Sequence, residues 1–338
     1  MAWLFKKSPA KRFWLKLLLL ALPFVPMVIL YFVKDPFMKL YPHKRFDQTN
    51  MLLDEAFVGW QNIQMNRDSL HYDSFILGNS CTMAFRCQDW EKHLGKDAVA
   101  ARFFDNAESL GGICQKIEAL DSVGLPLHNL LVIVDRSSFL KLEPLSRNQN
   151  LFSAKVAGIS EAEFQLKALQ DFLYPSTLIP YFRYIITGRY VKSMRKVIHD
   201  GAPLREAFTN NFINPREKEI EEKGEGYWTE HKEEFEKRPD AGKEETPVIE
   251  NQQIQLLRRI RKICDKQHTR LVLLISPDYY QTKLNHQDLL LLKKELGNEA
   301  VWDFTGVNEY TRDIHNYYEP GHYRPMLGRK LLDVVYSH

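Results

Sequence analysis

Two short segments, far apart in the chain, carry residues that suit nucleophilic chemistry. Ile76-Leu-Gly-Asn-Ser80-Cys-Thr82 sets a serine directly after an apolar run and at the start of a helix-prone stretch. Tyr317-Tyr-Glu319-Pro-Gly-His322-Tyr-Arg-Pro-Met-Leu-Gly328 sets a carboxylate three residues before a histidine, in a loop shaped by Pro and Gly. A serine hydroxyl is a weak nucleophile until a base takes its proton. An imidazole can do so while a carboxylate holds its tautomer and stabilises its protonated form. A helix start adds unpaired N–H groups that can hold an oxyanion. The chemistry implied is acyl transfer through an acyl-Ser80, with His322 as base and Glu319 as its orienter. Serine at such a junction is also an ordinary helix N-cap. The first segment alone leaves both readings open, and the Glu319-x-x-His322 loop favours the nucleophile.

Other reactive residue types fit blander roles. Cys81 lies one position off the motif and reads as a small buried thiol. His315 near Asp313 and His71 near Asp73 resemble fragments of a metal site, but no third and fourth ligands occur at supportive spacing. The mechanism requires neither metal nor cofactor. Ser276-Pro-Asp-Tyr-Tyr280 follows an apolar run where α/β folds place ligand loops, so Tyr279 and its neighbour line the site or pack in the core.

Positioning Ser80 requires a strand before it, and the pattern around it is alternating. Phe75-Ile-Leu77, Ala101-Arg-Phe-Phe104, Leu130-Leu-Val-Ile-Val134, Leu271-Val-Leu-Leu-Ile275 and Val301-Trp-Asp-Phe304 are short apolar runs. Each reads as a buried parallel strand. Helical stretches are expected at Cys81 to Leu94, at Gly112 to Val123, and around Ile254, Leu257, Ile260 and Cys264. A final one carries Leu327, Leu331 and Val335. Such alternation implies a three-layer α/β fold with a parallel sheet. The interval 148–248 breaks the rhythm. Its first half is aromatic and helical in flavour, and Arg216 to Glu245 is dominated by charge. The interval reads as a helical insertion over the site, its end a solvated and mobile arm or a solvated helix or loop without function.

The N-terminus differs again. Leu17 to Val33 carries no charge, and Phe13 to Val33 would reach roughly 30 Å as one helix, about one hydrocarbon core. A basic cluster precedes it (Lys6, Lys7, Lys11, Arg12, Lys16), as in a signal peptide, but only bulky residues follow where a cleavage site would lie. The expectation is an uncleaved single-pass anchor in the cell membrane, kinked at Pro23 and Pro26. Its N-terminus would be cytoplasmic and the remainder extracytoplasmic. The chain then divides into anchor (1–34), juxtamembrane connector (35–72) with a helix around Met51 to Gln64, and one α/β domain (73–338).

With 44% hydrophobic residues, 26% charged residues and a net charge of +3, the composition is that of a globular protein without a basic stripe, which argues against a nucleic-acid partner. The four cysteines (Cys81, Cys87, Cys114, Cys264) do not form the pattern of a disulfide scaffold. On one helix Cys81 and Cys87 would stand about 9 Å apart along the axis, too far to bridge.

On these motifs the chain resembles the SGNH (GDSL-like) hydrolase superfamily, in particular its membrane-anchored branch of DltD-like and alginate O-acetylation proteins. The resemblance covers roughly 75–135 and 271–335: the strand-Gly-x-Ser-x-Thr opening, a second block at Gly111-Gly112, Val301-Trp-Asp-Phe-Thr-Gly306, and the closing Glu-x-x-His. It implies a flavodoxin-like sheet and a Ser80–His322–Glu319 triad. The oxyanion hole would be built from the N–H groups of Ser80 and of Gly111 or Gly112. It further implies an O-acyltransferase or esterase acting on acyl, notably acetyl, esters of a surface or exported glycan, and a multi-pass membrane-bound O-acyltransferase as partner. Two positions depart from the family. Asn79 stands for the usual Asp. Asp135-Arg-Ser replaces the block that carries the oxyanion Asn, so Asp135 is expected to pair with Arg136 or another base, and Asn106 is the substitute donor. That loss also leaves open a non-enzymatic alternative, an SGNH-like domain that binds glycan or scaffolds the membrane acyltransferase.

Overall fold

The computed structural model describes residues 9–143, 152–201, 203–235 and 237–337. Lys6, Lys7 and the expected start of the insertion at Asn148 lie outside the described residues.

Five strands, β1 (Ser74–Gly78), β2 (Ala100–Phe104), β3 (Asn129–Val134), β4 (Arg270–Ile275) and β5 (Val301–Asp303), form one parallel sheet in the order β2-β1-β3-β4-β5. All four strand pairings are parallel. The strands are apolar throughout because both faces are covered. Phe75, Leu77, Val132 and Leu273 pack against Ile113, Ile117, Leu257 and Leu292 on one side. Ile76, Leu131, Ile133 and Leu274 meet Trp90, Leu327, Leu331 and Val335 on the other. The helices Leu110–Ser122, Asn251–Gln267 and Pro325–Tyr336 stand close to where the apolar spacing puts them. The outcome is the α/β architecture expected, with the strand order of a flavodoxin-like sheet.

Three expectations change. The helix expected over Cys81 to Leu94 is broken: a 3-10 turn Ser80–Ala84 is followed by extended backbone at Phe85 and Arg86, then by a short helix Cys87–Glu91. Phe85 is fully buried, edge-on to Tyr323 at 6.0 Å, and this packing outweighs local helical preference. Cys81 and Cys87 therefore do not share a helix. All four cysteines are free and buried.

The apolar N-terminus is also divided, into the helices Pro9–Ala21 and Val25–Lys34, joined by a 3-10 turn Leu22–Phe24. No single helix among the described residues is long and apolar enough to cross a membrane, but these two meet the test together, bent by 47°. The break falls at Pro23 and Pro26, which supply no backbone N–H to continue a helix.

The third change concerns the charged run. The connector helix runs from Glu55 to Leu70, and the insertion is helical, with Glu161–Leu173 and Pro175–Thr187 in its aromatic half. Its charged half contains the helices Pro215–Lys223 and Glu225–Glu230. Rather than a free arm, this half is packed down: Tyr227 and Trp228 are buried in one cluster with Ile220 and Tyr318.

Candidate active site

In this strand order the chain reverses direction across the sheet between β1 and β3, and the carboxyl ends of those strands open a crevice in which α/β proteins hold ligands. Ser80 begins the turn that leaves β1. The N-cap role falls to its neighbour: Asn79 Oδ1 accepts the Cys81 N–H at 2.9 Å. Asn79 Nδ2 donates across the crevice to Asp135 Oδ2 at 2.8 Å. Asp135 in turn accepts from Ser137 Oγ and from the Ser138 N–H. Contrary to expectation, Arg136 is turned away from Asp135, toward Thr246 and Glu245.

The Glu-x-x-His spacing has a simple origin. Tyr317–Glu319 and His322–Tyr323 form a two-stranded antiparallel hairpin, β6 and β7, in which Glu319 stands opposite His322 across Pro320-Gly321. Directly opposed residues carry their side chains on one face of a hairpin. Accordingly His322 Nδ1 lies 2.5 Å from Glu319 Oε1, and His322 Nε2 lies 2.8 Å from Ser80 Oγ. The hydroxyl, imidazole and carboxylate form one continuous chain, with the histidine and the carboxylate about a quarter to a third exposed (30% and 26%).

The charged half of the insertion holds this hairpin from behind. Arg216 donates to Glu319 Oε2, to the Tyr318 carbonyl at 3.2 Å and to Glu234 at 3.0 Å. Burial alone would lower the Arg216 pKa, but Glu319, Tyr227 and Glu234 hold it above its ordinary value. Trp228 Nε1 donates to the Tyr317 carbonyl and Tyr227 Oη to that of Tyr318. Glu217 takes a forked pair of bonds from Arg324 at 2.9 and 3.0 Å and another from Tyr318 Oη. Burial would raise the Glu217 carboxyl, yet those bonds bring it below the usual carboxylate value. These supporting residues carry no local motif, since their partners lie about a hundred positions away.

A cavity of about 300 Å³ runs along the carboxyl ends of the strands, lined among others by Cys81, Asp135, Ser276, Thr305, Gly321 and Tyr323. Tyr323 is the tyrosine at this cavity, its hydroxyl 3.2 Å from Ser276 Oγ. Tyr279 is instead a core residue, 3% exposed, edge-on to Tyr317 and beneath Arg238. Cys81 keeps its proton, because burial, with Asp135 near, pushes its thiol up to about 12.

The remaining expected donors are placed elsewhere. Gly112 N–H donates to Ser109 Oγ as part of a helix N-cap. Gly111 sits where a Cβ would strike the Leu142 carbonyl, and it lines a cavity with Trp60 and Gln115. Both glycines are thus accounted for by close packing. Asn106 is exposed and lines a third cavity, of about 460 Å³, with Lys39, Asp54, Asp171 and Lys196. Among the described residues the Ser80 N–H has no hydrogen-bond partner. No group of three or more His, Cys, Asp or Glu side chains suited to a metal ion occurs among the described residues. The His315 ring lies between Asp313 and Glu225, and His71 ends the connector helix in a left-handed conformation.

No protein-family model, no curated protein and no solved structure matches this chain.

Proposed function

We propose that the protein is a membrane-anchored serine esterase or O-acyltransferase of the SGNH type. Its domain would work outside the cytoplasm on acyl esters, notably acetyl esters, of a surface or exported glycan. The observation that carries this reading is the unbroken Ser80–His322–Glu319 chain at the mouth of the β1/β3 crevice. In the reaction, the Ser80 hydroxyl gives its proton to His322 Nε2 as Oγ bonds to the ester carbonyl carbon, whose oxygen becomes the oxyanion. The Ser80 N–H is the donor at hand for that oxyanion. Collapse breaks the ester C–O bond, and the leaving alcohol takes the proton from His322. A hydroxyl of glycan or water then gives its proton to His322 as it attacks the acyl carbon, and the bond from that carbon to Ser80 Oγ breaks as His322 returns the proton to Oγ. Glu319 holds the ring and offsets its charge, and Arg216 positions Glu319.

The glycan, the anchor topology and a multi-pass O-acyltransferase partner rest on the family resemblance and on the apolar, basic-flanked N-terminus. A second reading, a glycan-binding or scaffolding partner of such an acyltransferase, draws on the loss of an expected oxyanion donor, since the Gly112 N–H is already taken. Incubating the detergent-solubilised full chain with 4-nitrophenyl acetate separates the two. The enzyme reading expects nitrophenol release that Ser80→Ala abolishes, and release unchanged by Ser80→Ala would sink the triad.

A further inference from the structure

The aromatic half of the insertion ends in a helix, Pro175–Thr187, that is apolar on both sides. Its inner face, with Leu178 and Tyr181, is buried in one cluster with Phe172 and with Tyr31 of the anchor. The rings form a chain: Tyr31 to Phe172 at 5.3 Å, and Phe172 to Tyr181 at 5.4 Å. That chain fixes the helix beside the point where the anchor meets the domain. Its outer face carries Ile179, Phe182 and Ile186 at i, i+3 and i+7, exposed by 64%, 39% and 70%. Tyr174 continues the patch at 57% exposure.

A row of large apolar side chains left open to water marks a surface that something covers. Charge indicates what. From Phe172 to His199 there are five Lys and Arg residues (Arg183, Arg189, Lys192, Arg195, Lys196) and no acidic one. All five are exposed. An apolar stripe edged by cations is the pattern of a helix lying in a membrane interface, where side chains such as Ile and Phe enter the acyl boundary and Lys and Arg meet anionic headgroups.

We propose that the Pro175–Thr187 helix lies in the surface of the bilayer, on the side where the anchor emerges, as a second membrane contact that fixes the tilt of the domain. This rests on reading the N-terminus as an anchor. Two membrane contacts joined by a packed aromatic cluster leave the domain one orientation, whereas a single anchor would let it swing.

The test uses the full chain, whose native thiols are all buried. Single cysteines introduced as Ile186→Cys, Leu20→Cys and Leu290→Cys are labelled with an environment-sensitive fluorophore. Each protein is placed in phosphatidylcholine–phosphatidylglycerol vesicles containing a lipid-borne quencher. The expected result is a blue-shifted, several-fold quenched label at positions 186 and 20, and a water-like, unquenched label at 290 on the helix His286–Leu296, which packs in a different cluster. The paired charge reversals Arg189→Glu and Lys192→Glu should weaken quenching at 186 without affecting 20. A water-like label at 186 beside a quenched label at 20 would overturn the proposal and leave the face to a protein partner. Water-like labels at both positions would overturn the anchor reading and this inference together.

Discussion

The two halves of the insertion are built from opposite chemistry and pack against opposite ends of the chain, the helix that holds Tyr31 and the hairpin that holds Tyr318. The aromatic half meets the helix Val25–Lys34 through the ring of Phe172, backed by Tyr181, and buries one acid, Asp171, whose carboxyl burial pushes above its usual value. The charged half meets the Glu319–His322 hairpin through Arg216, Glu217, Tyr227 and Trp228. Its acids are drawn the other way: burial would raise Glu217 and Glu234, but partners such as Arg324 and His231 hold both below the usual value. The difference teaches that a carboxylate's environment, not its abundance in a segment, decides whether it destabilises a fold or braces a site.

The sharpest way to break that distinction lies at the braced hairpin. Glu319→Gln keeps the shape but cannot hold the same tautomer, so kcat should fall by roughly 10⁴-fold with little change in melting temperature. Steady-state kinetics on an activated acetyl ester checks this, and a loss below about tenfold would separate Glu319 from the chemistry.

Next in size is a pH effect at the cavity that Asn106 lines. Asp105 lines the cavity with Asp54 and Asp171, and burial raises its carboxyl to about 7, against the help of Lys116. A folded-state value above the unfolded one means that the folded protein binds the proton more tightly. The contribution is therefore present below the unfolded value near 3.8 and is lost as pH rises toward about 7. Asp105→Asn should remove up to about 4 kcal/mol of that decline, read from urea midpoints at several pH values. An unchanged slope would show that the burial is relieved.

Third is Trp228, whose ring packs behind the hairpin and whose N–H holds the Tyr317 carbonyl. Trp228→Ala should cost about 3 kcal/mol of stability and lower kcat in the fraction that stays folded. Trp228→Phe should cost only about 1 kcal/mol, the lost hydrogen bond. Smaller than the Trp228→Ala loss is the effect expected at Arg216. Arg216→Gln should slow turnover about tenfold, or about 1.4 kcal/mol, with KM nearly unchanged and partial rescue by Arg216→Lys. A change confined to melting temperature would reduce Arg216 to a structural brace.

Much of the sheet was legible in the sequence, because a strand buried on both faces is a short apolar run ended by polar residues, as at Leu130 to Val134. The Glu319–His322 contact was legible for a related reason: a two-residue turn sets the two residues opposite each other on one face, so their spacing encodes their contact. The break after Ala84 was not legible, since Phe85 leaves the helix to pack against Tyr323, a contact made across the chain. Nor was the role of the charged half. Arg216 and Glu319 stand 103 positions apart, and composition reports how many charges a segment holds but not where they are aimed. At Gly111 and Gly112 the reading of the pair as oxyanion donors overlooked a simpler demand, room for the Leu142 carbonyl and the Glu108 side chain.

Activation of Ser80 as a nucleophile by His322 underlies the proposed chemistry. It is tested most directly by treating the full chain with a fluorophosphonate, which needs neither water nor the natural acceptor, and locating the adduct by peptide mass spectrometry. The expected result is one adduct, on Ser80, strongly slowed by His322→Ala and absent in Ser80→Ala. An unlabelled Ser80 in the wild-type chain, or an adduct that forms equally well without His322, would contradict it.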